Sequence, residues 1–245
     1  MAIPSEAAPY RAMILAAGRG ERMRPLTDTM PKPLLQVGKC KLIEYQIKRL
    51  AQAGFRNIVI NHAYLGEMIE VALGDGARYG IQIVYSPEKV VLETAGGITN
   101  ALSLLTDDAG NRPFLVVNAD IYCEYDYARL LPVLQSMHQN SANRLVHMVL
   151  VDNPAHHAAG DFALIHDQLV LTDGGDCLTF SGIGVYHPLL FAGMKPGIPI
   201  KLAPILRSAV NDKKVTGEYF EGVWLDVGTP ERLQQLDRQL SAQQE

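Results

Sequence analysis

Gly18-Arg19-Gly20, with Arg22, Arg24 and Lys32 close behind, is the densest concentration of potential chemistry in the chain. It follows the apolar run Met13-Ile14-Leu15-Ala16-Ala17 and is closed by Pro31-Lys32-Pro33. Glycine has no side chain to hold a ligand away, so backbone N–H groups of such a loop can come close to a phosphate chain. Ala16, Ala17, Gly18 and Gly20 would then face a nucleoside triphosphate, with Arg22 and Lys32 as countercharge. Spacing rules out two other glycine loops. A Walker loop needs Gly-Lys-Ser/Thr at a fixed offset from its first glycine, and a dinucleotide fingerprint needs a third glycine; Met23 stands at the decisive place in both.

Two carboxylates stand where a divalent cation would need them. Asp120 follows the continuous apolar stretch Phe114-Leu115-Val116-Val117, and Asp226 sits within Trp224-Leu225-Asp226-Val227-Gly228-Thr229-Pro230. Mg²⁺ takes hard oxygen donors and commonly uses only one or two protein carboxylates, the remainder being substrate phosphates and water. Each Asp has a plainer reading: Asp120 as a loop cap, Asp226 as a helix-capping acid beside Thr229. Arg22 and Lys32 could be solvated surface charges, although the prolines flanking Lys32 fix its backbone tightly. His156-His157 is read as surface histidines, because adjacent side chains on an extended segment point apart and no zinc-like set accompanies them. Cys40, Cys123 and Cys177 lack Cys-x-x-Cys spacing and are expected to be buried free thiols in a reducing compartment. Trp224 is expected in the core.

The elements that must position these groups alternate through the first half. Strand patterns at Tyr10 to Ala17, Asn57 to Ile60, Ile81 to Tyr85 and Phe114 to Val117 are separated by helical faces. Those faces run over Lys41 to Ala53, over Leu65 to Leu73 before Gly74, and through Ile98, Ala101, Leu102 and Leu105. Repeated β-α-β crossovers imply an α/β fold with a doubly wound, mostly parallel sheet. After a helix at Tyr127 to His138, strand-like runs at Arg144 to Val151, Phe162 to Ile165, Gln168 to Thr172 and Leu178 to Tyr186 suggest an antiparallel addition at a mixed edge. A helix over Lys201 to Val210, strand structure within Val215 to Val227 and a last helix from Thr229 complete one expected domain, 1–245, with 1–9 as a loose extension. Ligands of open α/β sheets bind beyond the carboxyl ends of the strands, so the glycine loop and Asn118-Ala119-Asp120 should face each other.

Composition bounds the rest. A hydrophobic share of 48% with 20% charged residues is ordinary for a globular core. The net charge of −4 argues against a general nucleic-acid-coating surface. No apolar run approaches a membrane span and no signal-peptide design opens the chain, so a soluble, cytoplasmic protein is expected.

Taken whole, Leu15-Ala16-Ala17-Gly18-x-Gly20-x-Arg22-Met23 followed by Pro31-Lys32-Pro33 resembles the signature of the sugar-1-phosphate nucleotidylyltransferases, or NDP-sugar pyrophosphorylases. The resemblance implies a Rossmann-like fold of the nucleotide-diphospho-sugar transferase type with an antiparallel sugar-binding addition. It implies that Asp120 and Asp226 bracket one or two Mg²⁺ ions between a triphosphate and a sugar 1-phosphate. Arg22 would fork onto β- and γ-phosphate oxygens, and Lys32 would act as a point charge near the α-phosphate. Leu92-Glu93-Thr94-Ala95-Gly96-Gly97 matches a Gly-Thr-Ala-Gly-like turn that contacts base and nucleoside in the family. Glu93, Thr94 and Gly97 are thus nucleotide-binding candidates, with Glu93 in place of the first glycine and Gly96-Gly97 opening a helix. Where the family often reads the base with a glutamine, the chain offers Ser86, which leaves the base open.

Later segments, including Asn61-His62-Ala63-Tyr64, Val151-Asp152-Asn153-Pro154 and Lys201-Leu202-Ala203-Pro204, are similar to the branch that uses UTP and N-acetylmuramate 1-phosphate in bacterial peptidoglycan recycling. This likeness spans Arg11 to about Leu236. It implies sugar contacts at Asn118, Gly160 and Ser181. The muramyl lactyl carboxylate calls for a cation, and Lys201 is the candidate, a solvent-facing first-turn lysine being its alternative. Two rival functions remain: mannose-1-phosphate guanylyl transfer, and nucleotide-sugar sensing without turnover. Oligomeric state is left open.

Overall fold

The strand Ala12–Leu15 (β1) sends Ala12 and Ile14 to one face and Met13 to the other, and all three are fully shielded from solvent. Period-two side chains buried on both sides require cover on both sides. The computed structural model, which describes residues 10–107, 109–140, 144–166, 169–171 and 177–242, supplies that cover with helices. After β1 come short 3-10 turns at Glu21–Met23, Leu26–Asp28 and Lys32–Leu34, then a hairpin of β2 (Gln36–Val37) and β3 (Cys40–Lys41). Next are α1 (Leu42–Gln52), β4 (Asn57–His62), α2 (Gly66–Leu73), β5 (Gln82–Pro87), α3 (Glu93–Asn100) and α4 (Leu102–Leu105). They are followed by β6 (Phe114–Asn118), β7 (Ile121–Cys123) and α5 (Leu131–Gln139). The later elements are β8 (Val146–Val151), β9 (Phe162–Ile165), β10 (Leu169–Leu171), β11 (Cys177–Tyr186), α6 (Leu202–Asn211), β12 (Val215–Tyr219), β13 (Trp224–Asp226) and α7 (Pro230–Ala242).

The main sheet has nine strands in the order β5-β4-β1-β6-β11-β8-β12-β10-β9. Only β11 and β10 run against the rest, so the sheet is mostly parallel, as the alternating pattern predicts. The antiparallel element is not confined to an edge, however. β11 lies between β6 and β8, antiparallel to both. Its apolar run is buried like that of a parallel strand, and such a pattern does not name its neighbours. α1, α2 and α5 cover one face through Ile43, Ile47, Leu50, Ile69, Leu73, Leu134 and Met137. α3 and α6 cover the other through Ala95, Ile98, Leu202 and Leu206. A third cluster packs Leu233, Leu236 and Leu240 of α7 against Met23, Leu35 and Val37, tying the last helix to the glycine loop.

Local sequence explains the helix limits. The Glu44 carboxylate accepts the Lys41 N–H at 2.8 Å to open α1, and Gly54, at φ +94°, closes it. Pro230 starts α7, with Thr229 Oγ1 accepting the Arg232 N–H at 3.4 Å. Several expectations need correction. α3 begins at Glu93, so Gly96 and Gly97 lie inside the helix rather than opening it. His156 and His157 lie at the surface as expected, but on a 3-10 turn, Ala155–His157, rather than an extended segment, and both line one cavity. All three cysteines are free, but only Cys123 is buried, its thiol pushed up to about 11 by desolvation. Of the expected strand 168–172, Leu169–Leu171 is a strand and Gln168 and Thr172 lie outside the described residues, as does the 1–9 extension. No helix among the described residues is long and apolar enough to cross a membrane.

Candidate active site

β1 and β6 pair in parallel with Leu15 opposite Asn118, so the glycine loop and Asn118-Ala119-Asp120 leave the sheet at the same edge. Gly20 adopts φ +67°, and a Cβ there would stand 3.1 Å from Lys32 Cβ and Thr27 Cγ2; glycine lets the loop fold down onto Lys32. Met23 is buried beneath the loop. Ala16 N–H donates to Asn61 Oδ1 at 3.0 Å, whereas the N–H groups of residues 17–20 have no acceptor among the described residues. Backbone donors left open at a strand end favour an anion. In front of them lies a cavity of about 470 Å³ lined by Ala16, Gly18, Gly20, Arg22, Lys32, Thr94, Asn118 and Asp120. Arg24 is paired with Asp28 at 3.1 Å and Arg19 lies over the Tyr64 ring at 5.2 Å, but Arg22 has no ion-pair partner among the described residues.

Lys32 is 7% exposed, and its Nζ donates to Asp120 Oδ2 at 2.6 Å. An ammonium so far from water needs a carboxylate, and the pair fixes both groups at the cavity floor. β13 pairs antiparallel with β7, placing Asp226 opposite Ile121, and Val227 N–H donates to Asp120 O at 2.9 Å. That pairing brings two carboxylates distant in sequence to one place. Asp226 Oδ2 accepts from Arg232 Nη1 at 2.7 Å and lies 3.3 Å from His156 Nε2. Gly228 makes the junction possible. A Cβ there would stand 2.6 Å from Arg232 Nη2, 3.0 Å from Asp226 Oδ1 and 3.1 Å from Arg22 Nη2.

Asp120 and Asp226 line an adjoining cavity of about 450 Å³ with Arg22, Asn118, His156, His157, Ser181 and Trp224. Among the described residues there is no cluster of three or more His, Cys, Asp or Glu suited to a metal. Asp120 and Asp226 nevertheless offer this one cavity the hard oxygens that Mg²⁺ takes, its other ligands being phosphate and water. Trp224, expected in the core, is half-buried on this wall and donates its indole N–H to Ser181 O at 2.9 Å. Ser181 sits at a β-bulge of β11; its hydroxyl donates to Val149 O at 2.7 Å and accepts from Ile183 N–H at 3.2 Å. Gly182, at φ +82°, lets this bulge press on Asn118, where a Cβ would stand 2.6 Å from Nδ2.

A third compartment of about 190 Å³, lined by Ala17, Gly18, Asn61, Glu88, Glu93 and Thr94, continues from the first. Glu88 is its buried acid. One oxygen accepts from Asn61 Nδ2 at 2.7 Å and the other from Leu92 N–H at 2.9 Å, while desolvation raises its pKa above the ordinary carboxylate value. Glu93 keeps a glycine-like backbone, φ +60°, at the mouth of this compartment.

Four expected contacts do not reach the cleft. Gly97 lies behind Asn61 and Glu88, so close that a Cβ would stand 2.7 Å from Glu88 Oε1. Ser86 is buried against Asn100 and does not line the third compartment, which Glu88 does. Gly160, at φ +64°, permits close packing on Asn153 and Cys177 and does not line the sugar-side cavity. Lys201 is solvent-exposed before α6, where the neighbouring Ile200 carbonyl accepts the N–H groups of Ala95 and Gly96; it lines none of the three compartments. Conversely, sequence reasoning missed Asn61, Glu88, His156 and Arg232. The available signal was slight: a polar residue ending an apolar strand, and an acid shortly after another.

Relatives place this geometry in context. The chain is 51% identical over 228 residues, 92% of its length and 96% of the relative's, to an N-acetylmuramate alpha-1-phosphate uridylyltransferase of Neisseria meningitidis serogroup B. It is 30% identical to a mannose-1-phosphate guanyltransferase of Schizosaccharomyces pombe, covering 90% of this chain and 61% of that one. The crystal structure of UDP-glucose pyrophosphorylase complexed with UDP-glucose shares the fold at TM-score 0.71 and 21% identity, over 96% of this chain and 99% of that chain. Residues 11–161 match the nucleotidyl transferase family model, and the chain belongs to that family.

Proposed function

We propose that this nucleotidyltransferase uses Mg²⁺ and UTP to uridylylate N-acetylmuramate 1-phosphate, giving the UDP-sugar and pyrophosphate. The observation that carries this reading is the 51% identity to the Neisseria uridylyltransferase over nearly the full length of both chains. The cleft supports it. A sugar phosphate is already an anionic nucleophile at neutral pH, so the protein needs no general base and must chiefly position and neutralise. Phosphate oxygen attacks the α-phosphorus as the bond to the departing pyrophosphate breaks. The N–H groups of residues 17–20 and Arg22, which have no acceptor or ion-pair partner among the described residues, would hold the β- and γ-phosphates. Lys32, braced by Asp120, meets charge building on the α-phosphate. Asp120 and Asp226 would hold Mg²⁺, which when bound neutralises phosphate oxygens. Such aimed charges are commonly worth about 10²–10³-fold each in rate.

A second reading, guanylyl transfer to mannose 1-phosphate, is favoured by Glu88 alone. A buried carboxylate with a lone pair left on each oxygen can accept the paired N–H groups of guanine, whereas uracil offers one. Pyrophosphate release with Mg²⁺, crossing UTP and GTP against the two sugar phosphates, decides. Turnover confined to UTP with the muramyl substrate is expected; turnover confined to GTP with mannose 1-phosphate would refute the assignment.

A further inference from the structure

Asn61 has no role in the reaction so far, yet it joins the two ends of the nucleotide site. It lies near the end of β4 at 3% exposure, in register with Leu15 of β1 on one side and Ser86 of β5 on the other. Its Oδ1 accepts the Ala16 N–H at 3.0 Å, at the root of the glycine loop, and its Nδ2 donates to Glu88 Oε1 at 2.7 Å. Those two partners leave the amide one orientation, because an N–H must meet an oxygen and a carboxylate must meet an N–H. Glu88 is held in turn: its other oxygen accepts the Leu92 N–H at 2.9 Å, and its own N–H donates to the His62 carbonyl at 2.8 Å. Gly97 closes the back. A Cβ there would stand 2.8 Å from Asn61 Nδ2 and 2.7 Å from Glu88 Oε1, so neither side chain can retreat toward α3. The compartment that Asn61 and Glu88 line shares Leu15, Gly18 and Thr94 with the cavity in front of the glycine loop. A nucleotide with its phosphates over that loop can therefore seat its base beside Glu88.

We propose that Asn61 is a positioning residue for the donor nucleotide: its amide ties Ala16 of the glycine loop to Glu88, so that phosphates and base are held in register. This role rests on the nucleotide reading above and holds for either base, since uracil and guanine each offer the carboxylate an N–H. The charged groups around Glu88 are His62, itself held on Glu70 of α2 at 2.7 Å, and Glu93, which lines the same compartment. An Asn61 that only packs the end of β4 would act on folding and on kcat, and equally at every pH.

The test measures pyrophosphate release by Asn61→Asp and Asn61→Ser from about pH 6 to about pH 9, each KM being divided by the wild-type value at the same pH. A protonated carboxyl copies the amide, one oxygen accepting from Ala16 and the O–H donating to Glu88. Once ionised, it faces the Glu88 carboxylate across a hydrogen-bond distance and repels it. We expect Asn61→Asp to keep the KM for UTP near wild type in acid and to raise it about ten- to hundredfold as pH rises, as for loss of a charged hydrogen bond. The KM for the sugar phosphate and kcat should move little. Adding Glu88→Gln to Asn61→Asp should abolish the pH dependence, because one carboxylate of the pair is gone. Asn61→Ser, too short to reach both partners, should carry the high KM at every pH. A KM ratio independent of pH in Asn61→Asp overturns the proposal, and if that variant fails to fold, a wild-type KM in Asn61→Ser does so. A wild type that turns over GTP alone refutes the uridylyl reading instead, and the same KM series with GTP then decides the role of Asn61.

Discussion

Gly228→Ala places one methyl group where Arg22, Arg232 and Asp226 meet. Gly228 does not occupy the left-handed region, so its backbone accepts alanine. The new Cβ would stand 2.6 Å from Arg232 Nη2 and about 3 Å from Asp226 Oδ1 and Arg22 Nη2, against an ordinary contact limit of 3.4 Å. Arg232 must therefore retreat by roughly 0.8 Å and the other two by roughly 0.3–0.4 Å, and a misplacement of about 1 Å at a reacting centre costs about 10²-fold. All three contacts are the far ends of side chains, and alanine narrows the unfolded ensemble by about 0.4–1 kcal/mol. Stability should hold to within about 1 kcal/mol, roughly 2–4 °C in Tm for a chain of this size. The expected result is a ten- to hundredfold fall in kcat/KM by pyrophosphate release, with thermal denaturation almost unmoved. Wild-type activity would show that catalysis does not use this junction; a collapse in Tm would show that the three side chains cannot yield.

Glycine-to-alanine changes inside α3 should separate stability from binding. Such a change ordinarily stabilises a helix by about 1 kcal/mol, but at Gly96 the Cβ would stand 2.4 Å from the Ile198 carbonyl oxygen, which is backbone. Gly96→Ala should therefore lower stability by about 1–3 kcal/mol in urea denaturation; an unchanged midpoint would contradict this. Gly97→Ala presses instead on Glu88 and Asn61 and should raise the KM for nucleotide more than it lowers Tm. Glu218 provides a pH signature. Burial pushes its pKa up, but contacts from His147, Tyr125 and Arg129 together hold it below the ordinary value of 4.5. The unfolded state then binds more protons between the two values, so this stability is present above pH 4.5 and drains away as pH falls through the lowered pKa. Glu218→Gln should be less stable than wild type by about 1–3 kcal/mol at pH 7, with the gap closing in acid; a gap independent of pH would be contrary evidence.

Local signals made much of the cleft legible. The turn at Gly18 to Gly20, the proline-clamped Lys32 and the exit of Asp120 from an apolar strand all follow from residues near one another in sequence. Glycine, proline and hydrophobic period act over a few residues, so the α/β alternation and the sheet edge could be read directly. Lys201 shows where local signals stop. It has the right charge and a helix-start context, yet the docking of α3 on Ile200 places it outside the cleft.

By itself, then, the sequence determined the alternating elements, the glycine loop and the cations Arg22 and Lys32 that line the cleft. Tertiary structure decided that β11 enters between β6 and β8, that β13 meets β7 to bring Asp226 to the cavity that Asp120 lines, and that His156, Asn61 and Glu88 line the cleft with Arg232 held on Asp226. The physical reason is that a buried pattern specifies that a strand or side chain needs a partner, whereas the partner is chosen by packing and pairing across the whole chain.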